Sequence, residues 1–464
     1  MNVVILAAGQ GKRMGPSPTK SLPKVLHLVA GSPMLAHVLD AVGAATAGMP
    51  ANIVVVVGHG AQKVQEMFPS TSAAGRSLRF VEQSRQLGTG HAVLQAAPLL
   101  DDAAPTLVLY GDVPLIRPAT IKRLFELGDD VALLTVQLAQ PAGYGRIVRD
   151  WHGHVLRVAE ERDASEEERK LTEVNTGILM APTGKLKLWL KALTNENAQR
   201  EYYLPDVVAQ AVAQKCAVLA VQCTDPDEVR GVNSKEELAT VERLAQRRVA
   251  SDLMESGATL ADPARIDVRG KLEVGVDVSI DVGCVFEGYV KLADGVRVGA
   301  YCVLRNCAIG AGTELLPFSH LDGATIGAAA RIGPYSRLRP GAQLGDEVHV
   351  GNFVEIKAST LGRGSKANHL AYVGDATVGA NVNIGAGTIT ANYDGARKHR
   401  TIIGDDVSIG SNAVLVAPVT IGRGATIAGG STISRNAPEG KLTVARAKQT
   451  TLESWKRPSK EKKV

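Results

Sequence analysis

Up to about residue 230 the apolar positions fall in short runs separated by stretches of helical spacing. "VVILA" at 3–7, "NIVVVVG" at 52–58, "TLVLYG" at 106–111 and "VALLTVQL" at 131–138 are rich in β-branched residues and bounded by Gly, Asp or Pro. Runs that are apolar at every position suit strands buried on both faces, as in a parallel sheet. Between them, Met34–Ala47 and Gly90–Leu100 repeat apolar residues at helical spacing. The alternation predicts an open α/β sheet with right-handed crossovers, whose ligands sit at the carboxyl ends of the strands. From Ser234 to about Gly257 one helix takes over. Leu238, Val241, Leu244 and Leu253 fall near one face and Glu242, Arg243, Arg247 and Arg248 mostly elsewhere, so this segment reads as a linker helix between two domains.

Beyond it the pattern has a period of six. Val274, Ile280, Phe286, Leu292, Val298 and Leu304 are each six apart, as are Ile326, Ile332, Leu338, Leu344, Val350 and Ile356, and Ile403, Ile409, Leu415, Ile421, Ile427 and Ile433. Neither a helix nor an ordinary sheet has this period. It predicts a parallel β-helix of triangular section, in which each hexapeptide is one short strand and a turn, with aliphatic residues stacked inside and Gly and Asn at the bends. The register slips near Leu361 and Val373, and "TANYDGARKHRT" at Thr390–Thr401 intrudes as a loop. Insertions in a solenoid project from one face, commonly the binding face.

A length of 464 residues asks for two or three domains. Apolar residues at 45% and charged ones at 21% are globular values, while 48 glycines agree with a turn-rich β region. The net charge of +5 is concentrated in the tail Trp455–Val464, "WKRPSKEKKV", and gives no reason to expect nucleic acid as a partner. Cys216, Cys223, Cys284, Cys302 and Cys307 form no CxxC pair and have no His at zinc spacing, so they read as reduced, mostly buried thiols. No apolar run approaches the ~20 residues that span a bilayer, and the chain enters its first strand without a charged leader. A soluble, cytoplasmic protein is expected.

The first strand opens into "AAGQGKRMG". Its Gly9, Gly11 and Gly15 fit neither GxxxxGK[ST] nor GxGxxG, yet glycines let backbone N–H groups approach a polyphosphate and Lys12 and Arg13 can neutralise it. Lys24 in "LPKVLH" is a second cation. Asp112 in "LYGDVPL" ends a buried strand, where a carboxylate is costly unless it binds something, and Mg²⁺ suits it. "QLGTGHA" adds a Gly-rich turn in which Thr89 can read a base or ribose. In the second half "RLRPGA", "GNFVEIK", "SKANHLAYVGDA", "NIGAGT" and "ANYDG" crowd Arg339, Lys357, His369, Tyr372, Asn383, Asn392 and Tyr393 around the slips in register. The two cations suit a sugar phosphate. The imidazole of His369 suits proton removal from an amine attacking a thioester.

With LAAGxGxRM, LPK, Gln83 with "LGTGHA", YGDVP, "GYGRI", "NTGI", "GVN" and the hexapeptide domain together, the chain resembles the GlmU family of bifunctional bacterial enzymes from Val3 to about Pro458. The resemblance implies a Rossmann-like α/β nucleotidyltransferase domain at 1–233, a linker helix at 234–257, and a left-handed parallel β-helix acetyltransferase domain with a C-terminal tail at 258–464. The activities implied are acetyl transfer from acetyl-CoA to glucosamine 1-phosphate, then uridylyl transfer from UTP to N-acetylglucosamine 1-phosphate with release of pyrophosphate. Leu6, Ala7, Ala8, Gly9 and Lys24 would hold the uridine nucleotide, and Gln83, Gly88 and Thr89 would read the uracil. Tyr110 and Gly111 would line the same site, and Asp112 and Asn233 would hold Mg²⁺. Gly145, Asn175 and Glu160, favoured over its neighbour Glu161, would contact the sugar, with Arg13 on the leaving pyrophosphate. In the acetyltransferase His369 would be the general base, and Arg339, Lys357, Tyr372 and Asn383 would bind glucosamine 1-phosphate. Ala386, Asn392, Tyr393, Ser411 and Arg446 would lie along acetyl-CoA, with Asn392 or a backbone N–H near Ser411 steadying the oxyanion. Trp455 would stack on the adenine or be a partly packed terminal aromatic. A homotrimer is implied, with sites between subunits. The loop "GPSPTKS" before Leu22 is longer than the family pattern, so Lys20 inherits no role.

One rival is a single-activity sugar nucleotidyltransferase whose β-helix only regulates or oligomerises. The cluster of His369, Asn392 and Tyr393 speaks against it. A second is a non-catalytic pair of interaction modules, against which stand Asp112, Arg13 and Lys24. A purely structural solenoid leaves the first half unexplained.

Overall fold

Alternate residues of the strand Asn2–Ala7 point to opposite faces of one sheet. Val3, Ile5 and Ala7 enter one apolar core and Val4 and Leu6 the other, which is why the run has no polar position after Asn2. The computed structural model describes residues 1–464 other than 10, 12, 15–21, 70–77, 129 and 460–464. Lys12, Gly15, the loop with Lys20, and the last residues of the basic tail lie outside the described residues. Contacts divide the chain into two compact units, Met1–Arg248 and Val249–Val464.

The first unit is built on a nine-stranded sheet whose main path runs Val218–Cys223, Val131–Gln137, Glu173–Pro182, Pro105–Tyr110, Asn2–Ala7, Asn52–Val57, Leu78–Glu82. Neighbours pair parallel except Glu173–Pro182, which is antiparallel to both its partners. The wholly parallel sheet expected from the alternation is thus interrupted once. The segment before this strand is a hairpin, Arg146–Arg149 with Val155–Ala159, and a four-residue helix, Glu166–Arg169, rather than a crossover helix, so the chain returns antiparallel. The strand is also bulged between Asn175 and Leu179. There Gly177 has φ +85°, and a Cβ on it would lie 2.7 Å from the ring of Tyr110. The two helices read from the sequence form at Met34–Ala45 and Thr89–Ala96, the latter continued by a 3₁₀ turn, Ala97–Leu99, and others lie at Ala61–Met67, Pro118–Phe125, Thr183–Ala192 and Asp206–Ala213.

The helix Lys235–Glu255 starts with a capping box. The Ser234 hydroxyl accepts from Glu237 N–H at 3.1 Å, and the Glu237 carboxylate accepts from Ser234 N–H at 3.2 Å. Val241 and Ala245 pack with Met14, Met34 and Leu115, whereas Ala250 and Leu253 belong to the core of the second unit. Among the described residues no helix is long and apolar enough to cross a membrane.

The second unit is a parallel β-helix with three strands per coil. Arg331–Ile332, Arg337–Leu338 and Gln343–Leu344 follow one another, and His349 then pairs back on Arg331, 349 − 331 = 18 positions on. Other coils close in 17, as from His349 to Lys366, which accounts for the slips in the six-residue period. The aliphatic series is buried, with Ile332, Leu338, Val350 and Ile356 at 1% exposure or less. At one corner the chain turns through left-handed backbone at Tyr301, Phe318, Tyr335, Phe353 and Leu370. This conformation costs a non-glycine residue roughly 1–2 kcal/mol. The four rings stack at centroid distances of 5.2, 5.0 and 5.4 Å, and such pairs return about 0.5–1.5 kcal/mol each. In the next coils the same corner is Gly387, Asn412 and Gly430, so its side chains shrink from rings to almost nothing. Phe286→Ala, at a site only 1% exposed, is predicted to destabilise the β-helix by about 3–5 kcal/mol in urea denaturation.

Candidate functional site

Strand ends gather the first group of residues. The N–H of Gly111 donates to Leu6 O at 2.9 Å, and Val232 N–H donates to Asp112 O at 3.0 Å, so three distant segments meet at the carboxyl edge of the sheet. The ammonium of Lys24 hydrogen-bonds the Asp112 carboxylate and also Asn233 Oδ1, the latter at 3.1 Å. One nitrogen reaching both oxygens shows that they converge on a single point. A carboxylate and an amide oxygen are hard donors that fit Mg²⁺, which takes few protein ligands and completes its shell with water and phosphate. These residues border a cavity of about 510 Å³ that is also lined by Leu6, Ala7, Ala8, Gly9, Arg13, Gln83, Gly88, Thr89 and Tyr110. Gln86 and Glu201 line it too, and the sequence analysis did not single them out.

Two of these side chains are already engaged. Gln83 places its amide nitrogen 3.0 Å from Gly88 O and 3.0 Å from His91 Nδ1, and the Thr89 hydroxyl accepts Leu204 N–H at 3.0 Å. Thr89 thus ties the glycine turn to the segment after Glu201 rather than pointing a free hydroxyl at a ligand. The Tyr110 phenol is pushed well above its ordinary range by burial, then by the charges of Glu160 and Asp112.

Gly145, Glu160 and Asn175 do not line that cavity but form a group beyond Tyr110. Asn175 N–H donates to Gly145 O at 2.8 Å, and a Cβ on Gly145 would stand 3.2 Å from Glu160 Oε1. Glu161 points elsewhere, 2.8 Å from the guanidinium of Arg146 and 3.2 Å from Gly143 N–H. Of the two adjacent glutamates, Glu160 therefore faces Gly145. Its carboxyl is pushed up to about 6, first by burial and then by Asp206 and Asp163.

On the β-helix the expected residues occupy one corner and the face that follows it. His369 is exposed just before the left-handed Leu370. Ala386, Ser411 and Gly429 take the equivalent place in later coils, and Arg446 donates to Gly429 O at 2.8 Å. These residues border the stretch of corner occupied by Gly387, Asn412 and Gly430. On the next face Arg339, Lys357 and Tyr372 come together with Glu355, Asp375 and Lys398. The inserted loop carries Lys398 into this group. Its coil step from Asn383 to Ser408 is 408 − 383 = 25 positions, and Asp394 accepts from Arg397 N–H, Ala396 N–H and His399 to hold the turn. The Lys398 ammonium is pushed below its ordinary value by its hydrogen bond to Lys357 and by that charge beside it, with Asp375 acting the other way.

Not every expected residue joins these groups. Asn383 lies on the preceding face, in the column of Lys366 and Ser408. Tyr393 is exposed and donates to Gly395 O at 2.6 Å, and Trp455 is 65% exposed, not packed. Asn392 directs its amide nitrogen to Asp375 and, at 3.4 Å, to the Tyr372 hydroxyl, so its N–H groups face these two side chains.

Residues 3–176 match the MobA-like NTP transferase domain family, and residues 323–358 and 400–435 match the bacterial transferase hexapeptide family of six repeats. The chain is 58% identical to the bifunctional protein GlmU of Cupriavidus pinatubonensis over 465 residues, with all of both chains covered. The same complete coverage holds for the GlmU proteins of Methylibium petroleiphilum, at 58%, and Burkholderia thailandensis, at 57%. The chain belongs to the GlmU family. As a GlmU-family enzyme it is bifunctional, with uridylyl transfer on the NTP-transferase unit and acetyl transfer on the hexapeptide coils.

Within this GlmU chain Glu160 gives a pH test. A carboxyl whose pKa rises on folding opposes folding once ionised; the penalty is absent below its ordinary 4.5, grows to about 6 and is constant above. Glu160→Gln is predicted to raise the stability of the first unit by about 1–2 kcal/mol at pH 8 relative to its effect at pH 4.5, read by urea denaturation at both.

Proposed function

We propose that the chain makes a UDP-sugar in two steps: acetylation of glucosamine 1-phosphate by acetyl-CoA, then transfer of uridylyl from UTP to the resulting N-acetylglucosamine 1-phosphate, releasing pyrophosphate. The observation that carries this reading is the cationic group Arg339, Lys357 and Lys398 beside the His369 corner, in a chain whose other unit draws Asp112 and Asn233 to one point. The first group suits a sugar phosphate and the second a metal-bound triphosphate. The boundaries proposed are 1–233 for the uridylyltransferase, 234–257 for the linking helix and 258–464 for the acetyltransferase.

In acetyl transfer His369 takes the proton from the amine as the amine nitrogen attacks the thioester carbonyl; the C–S bond then breaks and coenzyme A leaves as its thiol, carrying that proton. Arg339, Lys357 and Lys398 hold the phosphate, Asn392 accepts an N–H of the amine, and a backbone N–H near Ser411 faces the oxyanion. Tyr372 and Asn383 complete the sugar site, while Ala386, Tyr393, Ser411 and Arg446 follow the coenzyme along the corner. In uridylyl transfer the sugar phosphate oxygen attacks the α-phosphorus in line with the departing pyrophosphate. The backbone of Leu6–Gly9 and Gln83, Gly88 and Thr89 position the nucleotide, Glu160, Asn175 and Gly145 position the sugar, and Lys24 and Arg13 neutralise phosphate charge. Asp112 and Asn233 would hold Mg²⁺, whose contribution there would be further neutralisation of phosphate charge. We further propose a cytoplasmic homotrimer formed through the β-helix; the buried thiols and the absence of a membrane-length helix among the described residues support the location.

His369→Ala is predicted to cut acetyl transfer at least about 100-fold while pyrophosphate release from UTP is unchanged. Asp112→Ala is predicted to do the reverse. Both are read by thiol release from acetyl-CoA and by a pyrophosphate assay. Acetyl transfer that survives His369→Ala would contradict His369 as the base, and its absence in the unaltered chain would favour the single-activity alternative.

A further inference from the structure

One carboxylate in the acetyltransferase unit joins groups from three coils. Asp375 sits at a left-handed corner, φ +49°, where the preceding coils place Asn306, Gly323, Gly341 and Ala358. Acidity appears at this corner only where the inserted loop passes over it. Its backbone is fixed on both sides, with Asp375 N–H donating to Lys357 O at 3.0 Å and Thr401 N–H donating to Asp375 O at 3.2 Å. Its side chain is 3.6 Å from the Lys357 ammonium and accepts a hydrogen bond from Asn392 Nδ2. It also contributes favourable charge to Lys398.

A carboxylate can only accept, so the Asn392 atom facing it must be the amide nitrogen. The Tyr372 hydroxyl takes the same nitrogen at 3.4 Å. Because the amide is planar, its oxygen is then turned away from Asp375. Asn392 is 8% exposed, so reversing the amide would set its oxygen against a carboxylate with little water to screen the repulsion.

We propose that Asp375 is a positioning residue for acetyl transfer, holding the Asn392 amide in one orientation and balancing the paired ammonium groups of Lys357 and Lys398. The proposal rests on the reading of this face as the acetyl-transfer site. It divides the kinetic consequences. Acting through Asn392, Asp375 sets the turnover of the bound complex; acting through the lysines, it sets affinity for the sugar phosphate.

Steady-state kinetics on the full chain test this. Asp375→Asn is expected to lower kcat of acetyl transfer about 100-fold and to raise KM for glucosamine 1-phosphate, with uridylyl transfer unchanged. In the Asn392→Ala background, Asp375→Asn is expected to lower kcat no further while still raising that KM. Asn392→Asp, which keeps the outward oxygen but sets a second carboxyl against Asp375 in place of the donor, is expected to lower kcat by at least a similar factor and stands as the independent check if Asp375→Asn fails to fold. A wild-type kcat in Asp375→Asn or Asn392→Asp, or losses that multiply in the double variant, would overturn the proposal. Absence of acetyl transfer in the unaltered chain would overturn the reading of the site instead.

Discussion

Parallel pairing in fixed register is the constraint on which both units depend. In the first, it sends the ends of Asn2–Ala7 and Pro105–Tyr110 to the same edge, where Gly9, Asp112 and, through Val232, Asn233 arrive together. In the second, it stacks residues 17 or 18 positions apart, or 25 across the inserted loop, so Lys357 lies against Asp375 and His369 is followed along the corner by Ala386 and Ser411. Residues remote in sequence are brought together by backbone hydrogen bonds rather than by side-chain attraction. Charges of like sign can then be held close, because the ladder and not the charges fixes the spacing.

Both sites use that freedom in the same way. Each sets an ammonium against a carboxylate with an amide beside them: Lys24 reaches both Asp112 and Asn233, while Asp375 meets both Lys357 and Asn392. Phosphate recognition needs cations that do not repel one another out of the site beforehand, and a carboxylate in each cluster limits that repulsion. The β-helix adds a spatial device. The corner that carries stacked rings through Phe353 carries Gly387, Asn412 and Gly430 further on, beside His369, Ala386 and Ser411.

The sequence was most legible where periodicity reports burial. Period six showed the coils because every sixth side chain must fill the prism, and the apolar runs showed the sheet because both of its faces are covered. It was least legible where direction depends on neighbours. Glu173–Pro182 reads like the other buried strands, yet its antiparallel course is set by the hairpin before it. Glu160 and Glu161 are chemically equivalent in sequence, and only Arg146 draws the second away. Asn392 was visible as an amide near the coenzyme, but its polarity is dictated by Asp375, seventeen residues upstream. Lys398 lay in a loop with no periodicity, and nothing in its surroundings in sequence marks it as a partner of Lys357.

On this account each ladder brings together its own set of groups, so that a lesion in one unit leaves the chemistry of the other intact. Mixing the full-length variants His369→Ala and Asp112→Ala with glucosamine 1-phosphate, acetyl-CoA, UTP and Mg²⁺ tests it most directly, with the nucleotide sugar as the readout. The account predicts that each variant alone forms almost none and that the mixture restores synthesis, the acetylated sugar phosphate passing through solution from one chain to another. A mixture as inactive as either component would contradict it.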